Sequence, residues 1–193
     1  MARDNFRDSP SDEEQFKFDP YAHATTVIQE YHRMIHDGFY FDASGIEVDV
    51  ANGANFDILF KLGAGEITHL TAAGLSLEDT PVNLEWYEGT TVSADGTAIN
   101  VRNHNRVNGN DSFNIAITKD PTITDVGTLL HTDYIPTTAT GPNAGALISH
   151  ADVEWLIGSP TIATAYLLRI TNNTGALLDI GYHFNGYEVG YNI

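Results

Sequence analysis

Residues 80–106, TPVNLEWYEGTTVSADGTAINVRNHNR, decide how the rest of the chain is read. Val82, Leu84 and Trp86 alternate with Asn83 and Glu85, the period of two that sets one face of a strand in a core and the other outside it. Gly89 follows as a turn, and Ser93, Ala94, Asp95 and Gly96 supply a second tight turn before Ile99 and Val101 resume an extended run that ends in a polar loop. The stretch carries no catalytic motif.

The same alternation spreads outward in both directions. Val48 and Val50 precede it, then Phe56, Ile58, Phe60 and Leu62 with Asp57 and Lys61 on the other side, then residues 67–77; Phe113, Ile115 and Ile117 follow it, then residues 129–135. Asn52-Gly53, Gly63-Ala64-Gly65, Asp95-Gly96 and Asn108-Gly109 offer the positive φ angles that hairpins require. Residues 137–145 read as a Thr, Pro and Gly loop. Tyr166, Leu168 and Ile170 are expected to open a final antiparallel pair with Ile180, Tyr182 and Phe184. The run Tyr187, Val189, Tyr191 and Ile193 changes parity at Asn185-Gly186, where a bulge or a tight turn must re-aim the strand. Many short strands, little helix and no repeat period predict an all-β fold: an antiparallel β-sandwich, jelly-roll-like, over residues 21–193 as a single domain. Residues 1–20 precede it as an extended or disordered acidic arm.

Residues 21–35 fit two patterns. Val27, Tyr31 and Met34 or Ile35 share a helical face, whereas Ile28, Glu30, His32, Met34 and His36 share one side of a strand. The β-branched run Thr25, Thr26, Val27 and Ile28 and the turn signal His36-Asp37-Gly38 favour the strand, with residues 39–41 as its hairpin partner. This choice governs the spacing His32-x-x-x-His36. On a strand four residues span about 13 Å, too far for one zinc, whereas on a helix the rings are neighbours. The strand reading therefore predicts no metal site, and the absence of a glutamate beside His32 removes the zincin pattern.

Charge limits the partners. The formal net charge is -17, and most of it belongs to residues 21–193, whose basic side chains are only Arg33, Lys61, Arg102, Arg106, Lys119 and Arg169. Such scattered cations form no stripe for phosphates, so nucleic acid is excluded as a direct partner, and the same charge disfavours an anionic membrane surface. There is no cysteine, so the fold rests on its core or on oligomerisation. No apolar run reaches a membrane span and the N-terminus lacks an apolar leader core, which predicts a protein maturing in a cytoplasm. In that compartment the sequons at Asn110 and Asn172 are chance matches.

Other constellations lead to no enzyme. Glu85 and Glu88 point to opposite faces of a strand and make no glycosidase pair, and no nucleophile elbow, oxyanion motif or phosphate-cradling glycine loop occurs, so no catalytic residue and no cofactor are assigned. Asp49, Asn52, Asn55 and Asp57, and the amide-rich residues Asn103, Asn105, Asn108, Asn110 and Asp111, are read either as calcium oxygen ligands or, more simply, as turn stabilisers. Tyr40, Trp86, Tyr87, Tyr134, Trp155, Tyr187 and Tyr191 lie near strand ends or loops; a shared flat platform among them would make the domain a carbohydrate-binding module, the alternative function. Phe6, Phe16, Phe18 and Tyr21 give the acidic leader either incidental aromatics or the anchors of an arm that orders in grooves of a neighbouring subunit.

The order of YEG, TTVSADGT and INVRNHNR within residues 80–106, with IHDGFYFDASG at residues 35–45 upstream, resembles the head decoration, or capsid cement, proteins of tailed bacteriophages over residues 23–120. The resemblance implies a structural virion protein on the outer capsid surface, a homotrimer that binds the major capsid protein and cements neighbouring subunits of the expanded head. Phe6, Phe16, Phe18 and Tyr21 are then its expected capsid-binding residues.

Overall fold

The alternating stretches become strands in a computed structural model that describes residues 17–19, 24–26, 30–79, 81–107, 113–136, 146–149 and 155–190. A short ribbon of β1 (Lys17–Asp19) and β2 (Ala24–Thr26) comes first, then the helix α1 (Glu30–Asp37). Four longer strands follow: β3 (Tyr40–Val50), β4 (Asn55–Leu62), β5 (Glu66–Leu77) and β6 (Val82–Glu88). Short strands come next, namely β7 (Thr91–Ala94), β8 (Thr97–Ala98), β9 (Val101–Asn103), β10 (Ala116–Lys119), β11 (Thr122–Asp125) and the longer β12 (Thr128–Ile135). The last four are β13 (Ala146–Ser149), β14 (Trp155–Ser159), β15 (Thr164–Asn172) and β16 (Leu178–Gly190).

Two antiparallel sheets result. One runs β12-β6-β15-β4-β10-β8; the other runs β13-β5-β16-β3-β9, with β14 also beside β5. Their inner faces share one core, as the alternation predicts: Phe56, Ile58, Phe60, Leu84, Trp86, Leu168 and Ile170 from the first meet Phe41, Leu75, Leu77, Ile180 and Phe184 from the second. Phe60 and Phe184 cross edge to face at 5.0 Å at its centre, and each such buried ring contributes about 2–3 kcal/mol of transfer free energy. The all-β antiparallel sandwich read from the sequence is what the chain forms.

The pairings differ from those expected. Within the described sandwich no two consecutive strands are neighbours; β1 with β2 is the sole sequential pair. Gly53, Gly65 and Gly96 do take positive φ, yet the turns at Asn52-Gly53 and Gly63-Ala64-Gly65 carry the chain from one sheet to the other, and the Asp95-Gly96 turn joins strands with different partners. Asn108-Gly109 lies outside the described residues. Likewise β15 pairs with β4 and β6, whereas β16 pairs with β3 and β5, so the expected final pair faces across the core instead of sharing hydrogen bonds.

Among the described residues of 21–35, where a strand is expected, Ala24–Thr26 is a strand and residues 30–35 are helical. Glu30–Asp37 is helical because Met34 and Ile35 pack together against Tyr40 and Tyr187, and tertiary burial outweighs a weak strand preference. His36-Asp37-Gly38 is the helix's C-terminal stop: Gly38, at φ 80, donates to Ile35 O at 3.1 Å and Phe39 donates to Met34 O at 2.9 Å, the two bonds of a Schellman cap. Residues from Tyr40 onward then pair with β16 and β9, not with the preceding segment.

Two bulges shift the register. Asn185 and Gly186 oppose Ala72 and Leu70, so the extra residue is Thr71 of β5, while β16 stays in unbroken register with β3 from Ile180 to Tyr187; Phe184 faces the core and Tyr187 lies beside Tyr40 on the outer side, so the parity change expected at Asn185-Gly186 does not occur in β16. A Cβ on Gly186 would sit 2.3 Å from His69 O, so only glycine fits. In β3, Val48 and Asp49 together oppose Asp179; Asp49 takes φ 59 and its N–H donates to the Asp179 carboxylate at 3.0 Å. That extra residue turns Val48 outward while Val50 stays in the core.

Candidate docking surface

Strand parity assigns each sheet an outer face, and the two faces differ in chemistry. On β13-β5-β16-β3-β9, Ser76, Gly181 and Ile46 lie side by side in register, and the next row is Gly74, His183 and Ser44. Ile46 and Val48 are 68% and 56% exposed there. The small residues between them leave a flat surface, and charge is confined to the ends: Asp42 opposite Arg102 at one, Asp49 and Asp179 at the other. On a chain of net charge -17 this is the face that loses least on desolvation. Three long strands about 4.8 Å apart, with a rise of about 3.3 Å per residue between the charged ends, give it on the order of 400 Å². That is about half of one partner's share of an ordinary protein interface, about 800 Å².

The other outer face is charged and already covered. Asp57, Arg169 and Glu85 stand in one row, and Arg169 holds Asp57 by two bonds, from Nε at 2.8 Å and from Nη2 at 2.9 Å. The carboxylate pairing holds the guanidinium above its ordinary pKa. Burial, reinforced by the neighbouring Glu85 carboxylate, pushes the Tyr87 hydroxyl up in the same neighbourhood. In the adjacent row Leu59 and Leu167 point outward yet are fully buried. The ribbon of β7 and β11 is tied to this face by Lys61, which reaches Asp95 at 2.9 Å just beyond β7.

Polar struts connect the two sheets. Lys119 of β10 donates to Glu47 of β3, and this bond raises the lysine's pKa. Glu188 of β16 accepts the Ile115 N–H at 2.7 Å; burial raises its carboxyl pKa despite the hydrogen bonds it receives from the Ile115 and Asn114 amides.

The expected site residues fall elsewhere. Phe6, Phe16 and Tyr21 lie outside the described residues, and Phe18 stands in β1 opposite Thr25 of β2, its side chain outside the description. The flat face was missed because its signal is a lack of charge at alternate positions of three distant segments, visible only once register aligns them. Several of the oxygens considered for calcium accept from protein donors: Asp57 from Arg169, Asn55 from the Thr171 hydroxyl at 2.9 Å, Asn52 from the Gly175 N–H at 2.9 Å and Asn103 from the Asn105 N–H at 2.8 Å; Asn108, Asn110 and Asp111 lie outside the described residues. Of the aromatic residues considered for a platform, Tyr40, Trp86 and Tyr187 are buried, Tyr134 is exposed and Tyr191 lies outside the described residues. Trp155 stacks on Trp86 at 5.4 Å with His131 at its edge. Asn172 of the second sequon is fully buried and donates to Val50 O at 2.7 Å and Ala176 O at 2.8 Å, so no glycan can reach it.

Glu85 and Glu88 separate as expected, Glu85 beside Arg169 and Glu88 accepting the Tyr166 hydroxyl at 2.8 Å. Among the described residues no helix is long and apolar enough to cross a membrane. Comparisons of the chain with family models, with curated proteins and with solved structures find no match.

Proposed function

We propose that this chain is a structural virion protein that binds the outer surface of a tailed-phage capsid and cements neighbouring major capsid subunits of the expanded head. The observation that carries the reading is the flat face around Ile46, Val48, Ser76 and Gly181, a surface without internal charge on a strongly acidic chain. Desolvating such a face costs little, and a lattice that presents a matching surface only after expansion is stabilised by mass action when it is covered. The resemblance of residues 35–45 and 80–106 to head decoration proteins supplies the partner, a major capsid protein. In this reading the protein acts as a homotrimer without catalysis or cofactor. Its acidic body faces away from packaged DNA, and Phe6, Phe16, Phe18 and Tyr21 anchor an arm on the adjacent subunit.

Co-sedimentation with expanded, DNA-filled heads and with unexpanded shells tests the proposal. The protein is expected to pellet with expanded heads alone. Ile46→Asp combined with Val48→Asp should weaken that binding by about 100-fold, because it buries charge at the centre of the contact, and leave the unfolding midpoint unchanged. Deleting residues 1–20 should weaken it less and also leave the fold intact. Equal pelleting with both particles, or specific glycan binding lost in Trp155→Ala, overturns the reading.

A further inference from the structure

The helical state of Glu30–Asp37 reverses the geometry on which a metal site was rejected. His32 and His36 are exposed, one turn apart on the same side of α1, with ring centroids 4.7 Å apart and their Nε2 atoms 2.9 Å from each other. We propose that His32 and His36 form a two-point clamp for a divalent transition cation of the zinc and nickel class.

Imidazole nitrogens sit about 2.0–2.1 Å from such metals, and at that length a nitrogen separation of 2.9 Å corresponds to an angle of about 90° at the metal. Opening to the tetrahedral angle requires the nitrogens to part by only a few tenths of an ångström, within reach of small ring rotations. Without a cation one ring must donate a proton to the other to tolerate that approach, so metal replaces a hydrogen bond that already points both lone-pair positions at one spot.

The clamp stands on a fixed base. Met34, on the opposite side of α1, is buried with Tyr40 and Tyr187, and the Schellman bonds at Gly38 lock the last turn. Asn105 Nδ2 donates to His36 O at 2.9 Å, and Asn103 Nδ2 donates to Gly38 O at 2.9 Å. The backbone beneath the second ring is therefore pinned to the β9 edge before any cation arrives, which lowers the ordering cost of binding. A net charge of -17 raises the local cation concentration. No third His, Cys, Asp or Glu joins the pair among the described residues, so the remaining coordination positions face outward, open to water or to a ligand from a bound partner.

Zinc chloride titrated into the full chain in a non-chelating buffer, followed by calorimetry and by ring resonances of the histidines, tests the clamp. One equivalent should bind in the micromolar range, with the His32 and His36 rings shifting together. His32→Ala and His36→Ala should each weaken binding by about tenfold or more, and His36→Cys, which restores a ligand at that position, should retain it. His104→Ala and His183→Ala serve as controls and should change nothing. Zinc binding unaltered in both His32→Ala and His36→Ala, or ring resonances that stay in place at saturating zinc, would leave only a histidine–histidine hydrogen bond and overturn the assignment.

Discussion

The outer faces of the two sheets are built on the same strand geometry and have opposite chemistry. On the sheet centred on β15 and β4, outward positions hold Asp57, Arg169 and Glu85 in one row and the fully buried Leu59 and Leu167 in the next. On the sheet centred on β16, the corresponding positions hold Gly181, His183, Ser44, Ser76 and Ile46, the last 68% exposed. On the first sheet the large outward side chains Leu59 and Leu167 are buried, and the ribbon of β7 and β11 is tied to that face through Lys61 and Asp95; on the second, α1 covers the outward Tyr40 and Tyr187 at one end and small side chains stand on the rest of the face. An outward aliphatic side chain thus contributes to stability on one sheet and is free to contribute to association on the other.

The difference can be broken most directly with a pair of matched truncations. Leu59→Ala removes a fully buried side chain and should cost about 3 kcal/mol, whereas Ile46→Ala, equally outward by parity, should cost no more than about 0.5 kcal/mol. Urea unfolding of the two variants measures this. Similar costs for both would mean that the β16 face is as well covered as its counterpart, and the docking surface would be lost with it.

A smaller effect is expected from the charged row. The Arg169 and Asp57 side chains are only 19% and 13% exposed, so Arg169→Met removes the cation that stands between Asp57 and Glu85, at a cost of about 2 kcal/mol. Adding Asp57→Asn should recover part of that loss, because the penalty lies in the uncompensated carboxylate more than in the missing attraction. Chemical denaturation of the two single variants and the double variant gives the coupling. Full additivity would show that the row is a set of independent surface charges.

How far the sequence discloses this molecule depends on which interactions are local. The alternation of Val82, Leu84 and Trp86, or of Phe56, Ile58 and Phe60, is a property of one strand, and it gave the core and the fold class correctly. Glycine positions were equally legible, since positive φ is a local demand. Which strand lies beside which is not local: Gly53 makes a sharp turn whether the chain doubles back or crosses to the other sheet, and here it crosses. The helix at Glu30–Asp37 was missed for a related reason. Its stability comes from Met34 meeting Tyr187, far along the chain, a contact that no local pattern announces. Among candidate sites, the histidine pair was visible as a spacing whose meaning depended on that one helix, and the flat face had no linear signature at all.

The comparison also requires that the two sheets move as one body, and the strut at Glu188 tests that with the smallest expected effect. Its carboxyl joins β16 to the segment entering β10 through the Ile115 N–H, and burial raises its pKa above the ordinary value of 4.5. An acid with a raised pKa in the folded state contributes its full stability below the unfolded value and loses part of it as pH climbs to the folded one, because the folded protein must release a proton it holds more tightly. Stability of the native chain should therefore carry a component that declines as pH rises above 4.5. Glu188→Gln keeps the acceptor for Ile115 and cannot ionise, so its stability relative to the native chain should increase as pH rises above 4.5 and level off once the folded carboxyl has ionised. Urea unfolding across that range isolates the effect, since repulsion among the remaining acids is common to both proteins. If the difference instead stays flat with pH, the carboxylate is hydrated, the strut between the sheets is open to water, and the two faces are coupled through the apolar core alone.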